Sequence, residues 1–325
     1  MTRPPLPATL SLDLDNQWAY MRVHGDSGWE DFPSYLHRVV PRILRLLESK
    51  RLTITFFIVG QDAALEKNRD AFAALAATGH EMSSHSFSHL PSLAQQPEPE
   101  IDDELARAED AIERATGRRP RGFRGPAFCL SRNLLRVLKR RAYCYDASTF
   151  PTFIGPLARA YYQATVKHAA YGAAERQNLY GGWRDGLRPI RPYFWRLPEG
   201  GLLEIPVTTF PLCRLPIHLT YLLHCASFSP ALALQYFRAA LTMCAAARTP
   251  PSLLLHPLDF LGKDDVAELA YFPGMSLSGE KKTEFVARVL DELCARFAPV
   301  PLADYAAQYG DRVVLHAGQL NGLKK

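Results

Sequence analysis

The chain of 325 residues is long enough for one large domain or two small ones, and its 47% hydrophobic and 22% charged residues are ordinary for a folded globular protein. A formal net charge of +5 is too modest to suggest a general nucleic-acid binder. The six cysteines (Cys129, Cys144, Cys213, Cys225, Cys244, Cys294) are scattered, form no Cys-x-x-Cys and sit mostly among apolar residues, which reads as buried free thiols of a reducing compartment.

In chain order, Met1-Thr2-Arg3-Pro4-Pro5 leads into the first strand with no apolar segment before it, so no signal peptide is expected and a cytoplasmic location is. A buried strand spans Ala8 to Asp15. A helix over Phe32 to Lys50 carries Tyr35, Val39, Ile43, Leu46 and Leu47 at helical spacing. Leu52 to Val59 is β-branched and aromatic, a second strand closed by Gly60. An Ala-rich helix follows from Ala63 to Thr78, closed by Gly79, and then a third strand. Glu100 to Thr116 is acidic first and basic last, which suits a helix dipole. A short strand at Gly122 to Arg124, a serine-capped helix from Ser131 to Arg141 and a strand at Tyr143 to Tyr145 complete the regular part.

From Pro151 to Gly201 the alternation breaks. This stretch is rich in aromatics (Tyr161, Tyr162, Tyr171, Tyr180, Trp183, Tyr193, Phe194, Trp195) and holds seven Lys/Arg against three Asp/Glu. It reads either as a structural cover or as a substrate wall in which aromatics stack on sugar and arginines such as Arg184, Arg188 and Arg191 hold phosphate. A strand resumes at Leu202 to Val207. Leu215 to Phe237 lacks Asp, Glu, Lys and Arg, and is read as a buried helix pair or as a lipid-facing surface, with Leu222, Leu223 and Phe228 entering the interface and Trp183 or Trp195 at headgroup level. Another strand, Ser252 to Leu255, leads to His256, and Val286 to Phe297 is an amphipathic helix.

Alternating strands and helices call for a parallel sheet, with chemistry at the carboxyl ends of the strands. Asp13, Asp15, His85, Arg124, Asp146 and His256 all fall at such ends. His85 and His89, four apart, would share one face of a helical turn and reach one metal. Asp13 and Asp15, two apart on a strand, would face one side, one as a ligand and the other as a base.

With these pieces in order, the chain resembles the polysaccharide deacetylases with a NodB homology domain, carbohydrate esterase family four. Ser11-Leu12-Asp13-Leu14-Asp15 is similar to that family's first motif, although the family usually has adjacent aspartates. Gly79-His80-Glu81-Met82-Ser83-Ser84-His85-Ser86-Phe87-Ser88-His89 resembles the second, Phe123-Arg124-Gly125-Pro126 the third, Tyr145-Asp146-Ala147-Ser148 the fourth and Leu254-Leu255-His256-Pro257 the fifth. The resemblance covers about Ala8 to Ala307 and implies an α/β fold, an irregular (β/α)7-type barrel. It implies one domain over 1–325, with an insertion at about 151–201 and an apolar segment at about 208–247.

By the same resemblance, Asp15, His85 and His89 hold one divalent metal, zinc first, with iron, cobalt, nickel or manganese as alternatives. Asp13 is the general base and Arg124 pairs with it. His256 is the general acid, oriented by Asp146. Leu254 lines the acyl pocket, and the backbone N–H of Ala127 stands at the oxyanion position, where the family usually has tyrosine. The implied activity is N-deacetylation of an amino sugar in a glycan or lipid-linked saccharide, with peripheral membrane contact at the inner face and no nucleic acid. The spaced first motif is similar to that of intracellular branches, including deformylases of polyprenyl-phosphate amino sugars. Hydrolysis of a ureide or cyclic imide, and a non-catalytic glycan-binding module, are the competing readings.

Overall fold

Strand β1 (Leu6–Asp13) sets the two-sided logic of the sheet. Side chains alternate along a strand, and Ala8, Leu10 and Leu12 join the main apolar core under the helices. Ser11 and Asp13, on the opposite parity, both bond Arg124 on the inner side. Strand β2 (Thr55–Ile58) divides the same way: Phe56 and Ile58 enter the main core, and Phe57 packs with Tyr145, Leu203 and Ile205 in a second cluster. The structure, a computed structural model, describes residues 5–157, 159–160 and 182–309.

The remaining described strands are β3 (Glu81–Ser84), β4 (Gly122–Phe123), β5 (Tyr145–Asp146), β6 (Tyr193–Leu197), β7 (Gly200–Glu204), β8 (Ser252–Leu255) and β9 (Phe297–Val300). Their order is β6-β7-β5-β4-β3-β2-β1-β8, with β9 also on β1. All pairings are parallel except the β6–β7 hairpin. The fold is the expected α/β class, but the sheet is not a closed barrel. Among the described residues, no strand pairing joins β7 to β8. A single residue spans the gap: Thr208 N–H donates to Ser252 O at 2.9 Å, and Ser252 N–H donates to Thr208 Oγ1 at 2.7 Å.

Ten named helices lie among the described residues: α1 (Gln17–His24), α2 (Leu36–Ser49), α3 (Gly60–Ala64), α4 (Arg69–Ala76), α5 (Glu98–Thr116), α6 (Arg132–Arg140), α7 (Leu219–Ala226), α8 (Pro230–Ala246), α9 (Gly279–Cys294) and α10 (Leu302–Ala307). The expected helix over 63–78 is broken. Leu65 is extended (φ −87°, ψ 121°), because buried Asp62 ties the chain to Asn16 and Trp18. A Cβ on Gly60 would lie 2.8 Å from the Ala108 Cα, so glycine permits the close approach of α3 to α5.

Two segments differ from their sequence reading. The expected insertion over 151–201 includes the β6–β7 hairpin, which belongs to the sheet; Trp195 is buried at 3% exposure, with its indole N–H donating to Glu204 at 2.8 Å. Tyr161, Tyr162, Tyr171 and Tyr180 lie outside the described residues. Leu215–Phe237 supplies α7 and the start of α8, and Leu222 and Leu223 are core residues rather than a lipid-facing surface. Among the described residues no helix is long and apolar enough to cross a membrane. The six cysteines are free, but Cys144, Cys213 and Cys294 are exposed and only Cys244 is fully buried.

Candidate active site

At the carboxyl ends of β1 and β3, Asp15, His85 and His89 converge. His89 Nε2 lies 3.1 Å and His85 Nε2 3.4 Å from Asp15 Oδ1, and His85 Nε2 is 4.0 Å from Asp13 Oδ2. One ligand atom from each of Asp15, His85 and His89 falls within 4.8 Å of the others. Asp15 Oδ1 and both ring nitrogens of His89 are buried without a hydrogen-bond partner. His85 Nδ1 is 2.6 Å from Arg124 O, so its N–H is committed to that carbonyl and its Nε2 lone pair faces Asp15. These unspent lone pairs are what a divalent cation requires, and the cluster fits one.

The electrostatics agree. Burial alone would raise the Asp15 carboxyl, yet His89, with His85 and His256 behind it, holds it well below the usual carboxylate range. Burial pulls His85 below its ordinary value, which keeps the imidazole neutral, the form a metal takes.

The two histidines do not share a helical turn, as their spacing suggested. They flank a loop in which Ser86 (φ 62°) and His89 (φ 51°) are left-handed. That loop is pinned from three sides. Glu104 of α5 accepts from Phe87 N–H at 3.1 Å and from Ser88 N–H at 2.5 Å. Arg22 of α1, packed between Trp18 and Trp29, donates to Ser88 O and His89 O. Ser86 Oγ accepts from His89 N–H at 3.1 Å.

Beside the cluster, Arg124 is wholly buried; its Nη1 donates to Asp13 Oδ1 at 2.6 Å and to Ser11 Oγ at 3.0 Å, and its Nε donates to Ala147 O at 3.0 Å. Leu254, next to Ser11 in register, stands outside the apolar clusters that take Leu253 and Leu255, and so lies on the inner face. Ala127 is left-handed (φ 50°, ψ 30°) in a turn where Phe128 N–H goes to Gly125 O and Cys129 N–H to Pro126 O. Its own N–H has no carbonyl partner in that turn.

The expected pairing of Asp146 with His256 is absent. Asp146 Oδ1 accepts from Ser148 Oγ at 2.5 Å, and the residue pairs in register with Glu204 of β7. Burial pushes both carboxyls up, Glu204 the further because Asp146 is beside it. Which strand follows β5 decides Asp146's neighbour, and here it is β7, bringing Glu204. His256 instead places Nδ1 3.1 Å from Thr220 Oγ1 of α7. His218 lies 6.4 Å from the His256 ring, and Phe128, Phe150 and His218 form an aromatic row from the Ala127 turn towards His256. Burial, then His256, pushes His218 down to about 3. Sequence reading missed Arg22, Glu104, Glu204, His218 and Thr220. None sits in a recognisable motif, and only Asp259, three residues after His256, carried a local signal.

An α/β sheet with a buried Asp/His/His cluster, a paired carboxylate and a histidine at its strand ends has the layout of a hydrolase. Residues 26–145 match the family model for polysaccharide deacetylase, a stretch that includes His85, His89 and Arg124. Over that stretch the chain is similar to the polysaccharide deacetylase family. It is 28% identical over 131 residues to a peptidoglycan deacetylase of Helicobacter pylori, covering 38% of this chain and 44% of that protein. It is 33% identical over 86 residues to a peptidoglycan-N-acetylglucosamine deacetylase of Bacillus cereus, covering 26% of this chain and 30% of that protein. The matches thus span less than half the length of these relatives. A Mycobacterium smegmatis structure described as a polysaccharide deacetylase superposes with TM-score 0.59 at 18% identity, over 98% of this chain and 100% of that one. Asp13, Asp15 and His256 lie outside residues 26–145, and the fold brings them to the matched residues.

Proposed function

We propose that this protein is a metal-dependent amidohydrolase that removes the N-acetyl group from an amino sugar in a glycan or lipid-linked saccharide. The observation that carries the reading is the convergence of Asp15, His85 and His89 beside the Asp13–Arg124 pair. That the two bacterial relatives are peptidoglycan deacetylases supports a glycan substrate. For the lipid-linked arm the support is divided: Leu222, Leu223 and Trp195 are buried, while Phe228 and Trp183 are exposed.

Asp15, His85 and His89 would hold the cation, with zinc suiting the oxygen and nitrogen donors. When bound, such a cation supplies Lewis acidity. Asp13, oriented by Arg124, accepts the proton from the attacking water. The Ala127 N–H donates to the oxygen that gains charge as the acyl carbon becomes tetrahedral. His256 gives a proton to the nitrogen as the C–N bond breaks, releasing acetate and a free amine. Leu254 packs against the acyl methyl.

The test is to incubate purified protein with chito-oligosaccharides, peptidoglycan fragments and a prenyl-phosphate N-acetylhexosamine, and to measure acetate and free amine. Release should stop with a chelator and return with zinc. A protein that binds no divalent metal and releases no acetate from any of the three refutes the proposal. Equal rates with and without the prenyl chain would remove the lipid arm alone.

A further inference from the structure

The missing contact between Asp146 and His256 leaves the imidazole with other support. His256 ends β8, and the chain then turns through Pro257–Asp259. Asp259 Oδ2 accepts from the His256 N–H at 2.7 Å, and Asp259 Oδ1 lies 2.8 Å from Thr220 Oγ1. Thr220 Oγ1 is in turn 3.1 Å from His256 Nδ1. The three residues close a ring: backbone of His256, carboxylate of Asp259, hydroxyl of Thr220, imidazole of His256. Asp259 is 1% exposed, so its oxygens answer to these partners rather than to bulk water.

The chemistry of the ring assigns its direction. An ionised carboxylate only accepts, and a threonine hydroxyl has one proton to give. If Thr220 donates that proton to Asp259, its oxygen must accept from His256, which places a proton on Nδ1. We infer that Thr220 and Asp259 are the positioning residues of His256, fixing its Nδ1–H tautomer and aiming Nε2 into the site in place of Asp146. The inference rests on the proposed deacetylase role of His256 for its consequence, but not for its geometry.

Three features support a built device. Thr220 is the second residue of α7, a helix whose buried Leu219, Leu222 and Leu223 fix it in the core, so the hydroxyl is held by packing. The turn carrying Asp259 is tied from behind by Lys282 of α9, whose Nζ donates to Leu258 O at 2.7 Å. Burial raises the Asp259 carboxyl, while His256 and the backbone N–H of His256 act against that rise. A protonated Asp259 would reverse the direction of the ring and put the proton of neutral His256 on Nε2, so the tautomer is decisive.

The experiment uses the full chain labelled with 15N-histidine, with the His256 signals assigned by their loss in His256→Gln. Two-bond nitrogen–proton correlation reads the tautomer of the neutral ring. Wild type and Thr220→Ser should show Nδ1–H; Thr220→Val, which keeps the shape but cannot accept, should lose it. In parallel, on a substrate that wild type turns over, Thr220→Val should lower kcat about 10-fold or more with little change in KM, within the span a positioned acid supplies, and Thr220→Ser should recover most of it. An Nε2–H tautomer in wild type overturns the inference without recourse to any variant, as does a folded Thr220→Val that keeps both tautomer and kcat. If wild type deacetylates nothing, the functional proposal falls while the tautomer still decides this one.

Discussion

Arg124 shows how much one side chain at the site has to do. Its guanidinium lies 4.2 Å over the Phe57 ring while it reaches Asp13, Ser11 and Ala147 O together. A lysine has a point charge and cannot span those acceptors. Arg124→Lys should therefore keep the fold but lower turnover, and Arg124→Met should destabilise metal-free protein by about 3–5 kcal/mol, the usual cost of stranding one partner of a buried pair; urea denaturation measures the second. The two aspartates should separate cleanly. Asp13→Asn is expected to cut kcat by about 10²–10⁴ with bound metal unchanged, and Asp15→Asn to strip the metal. Parallel metal analysis and turnover would count against these roles if Asp13→Asn lost metal or stayed active. That Asp13, Asp15, His85 and Arg124 come together was legible because each falls at or just past the end of a strand; His89 follows four residues later, in the loop. The partner of His256 was not legible, since Thr220 lies 36 residues away on a helix whose docking no local pattern records.

At the scale of elements, the His85–His89 loop depends on helices that lie outside the Asp15, His85 and His89 cluster. Glu104 accepts two consecutive backbone N–H groups, and Arg22 binds two consecutive carbonyls, at Ser88 and His89. Together they hold a turn whose left-handed residues are not glycine. Glu104→Ala orphans both N–H groups, and the loop should relax to pair them with water. Metal affinity, read by competition with a chromophoric chelator, is expected to fall about 10- to 100-fold, the range for loss of a ligand's supporting partner, with the circular dichroism spectrum retained. Unchanged affinity would mean that the strand ends alone fix the histidines. The expected helical turn at His85–His89 failed because spacing of four is compatible with a loop as well as a helix. Helix α1, which carries Arg22, was invisible because its few apolar residues keep no long helical period.

At the scale of the whole molecule, the sheet opens between β7 and β8, and α7 and α8 come from the chain between those strands. They pack into the main core, together with α9, which bears Lys282. That lysine is 1% exposed, with Nζ on Leu258 O at 2.7 Å and Met275 Sδ at 3.2 Å. Burial draws its ammonium down to about 8, against the pull of Asp259, Asp264 and Asp265. The unfolded chain titrates near the ordinary value of about 10.4. Below about 8 both states are protonated and the full desolvation cost is present. Between about 8 and about 10.4 the unfolded state holds a proton that the folded state has shed, so stability rises with pH through that window. Lys282→Met removes the titration and keeps the bulk, although it leaves Leu258 O without its donor. The informative quantity is therefore the change with pH: wild type should gain about 1.6 kcal/mol relative to Lys282→Met between pH 8 and pH 9.5, with a slope that stays below the limiting ~1.4 kcal/mol for each pH unit because both states titrate partly in that window. Urea denaturation of both proteins at several pH values measures it. A stability difference that stays flat across the window would mean that the ammonium behind the Asp259 turn keeps its ordinary proton affinity in the folded state.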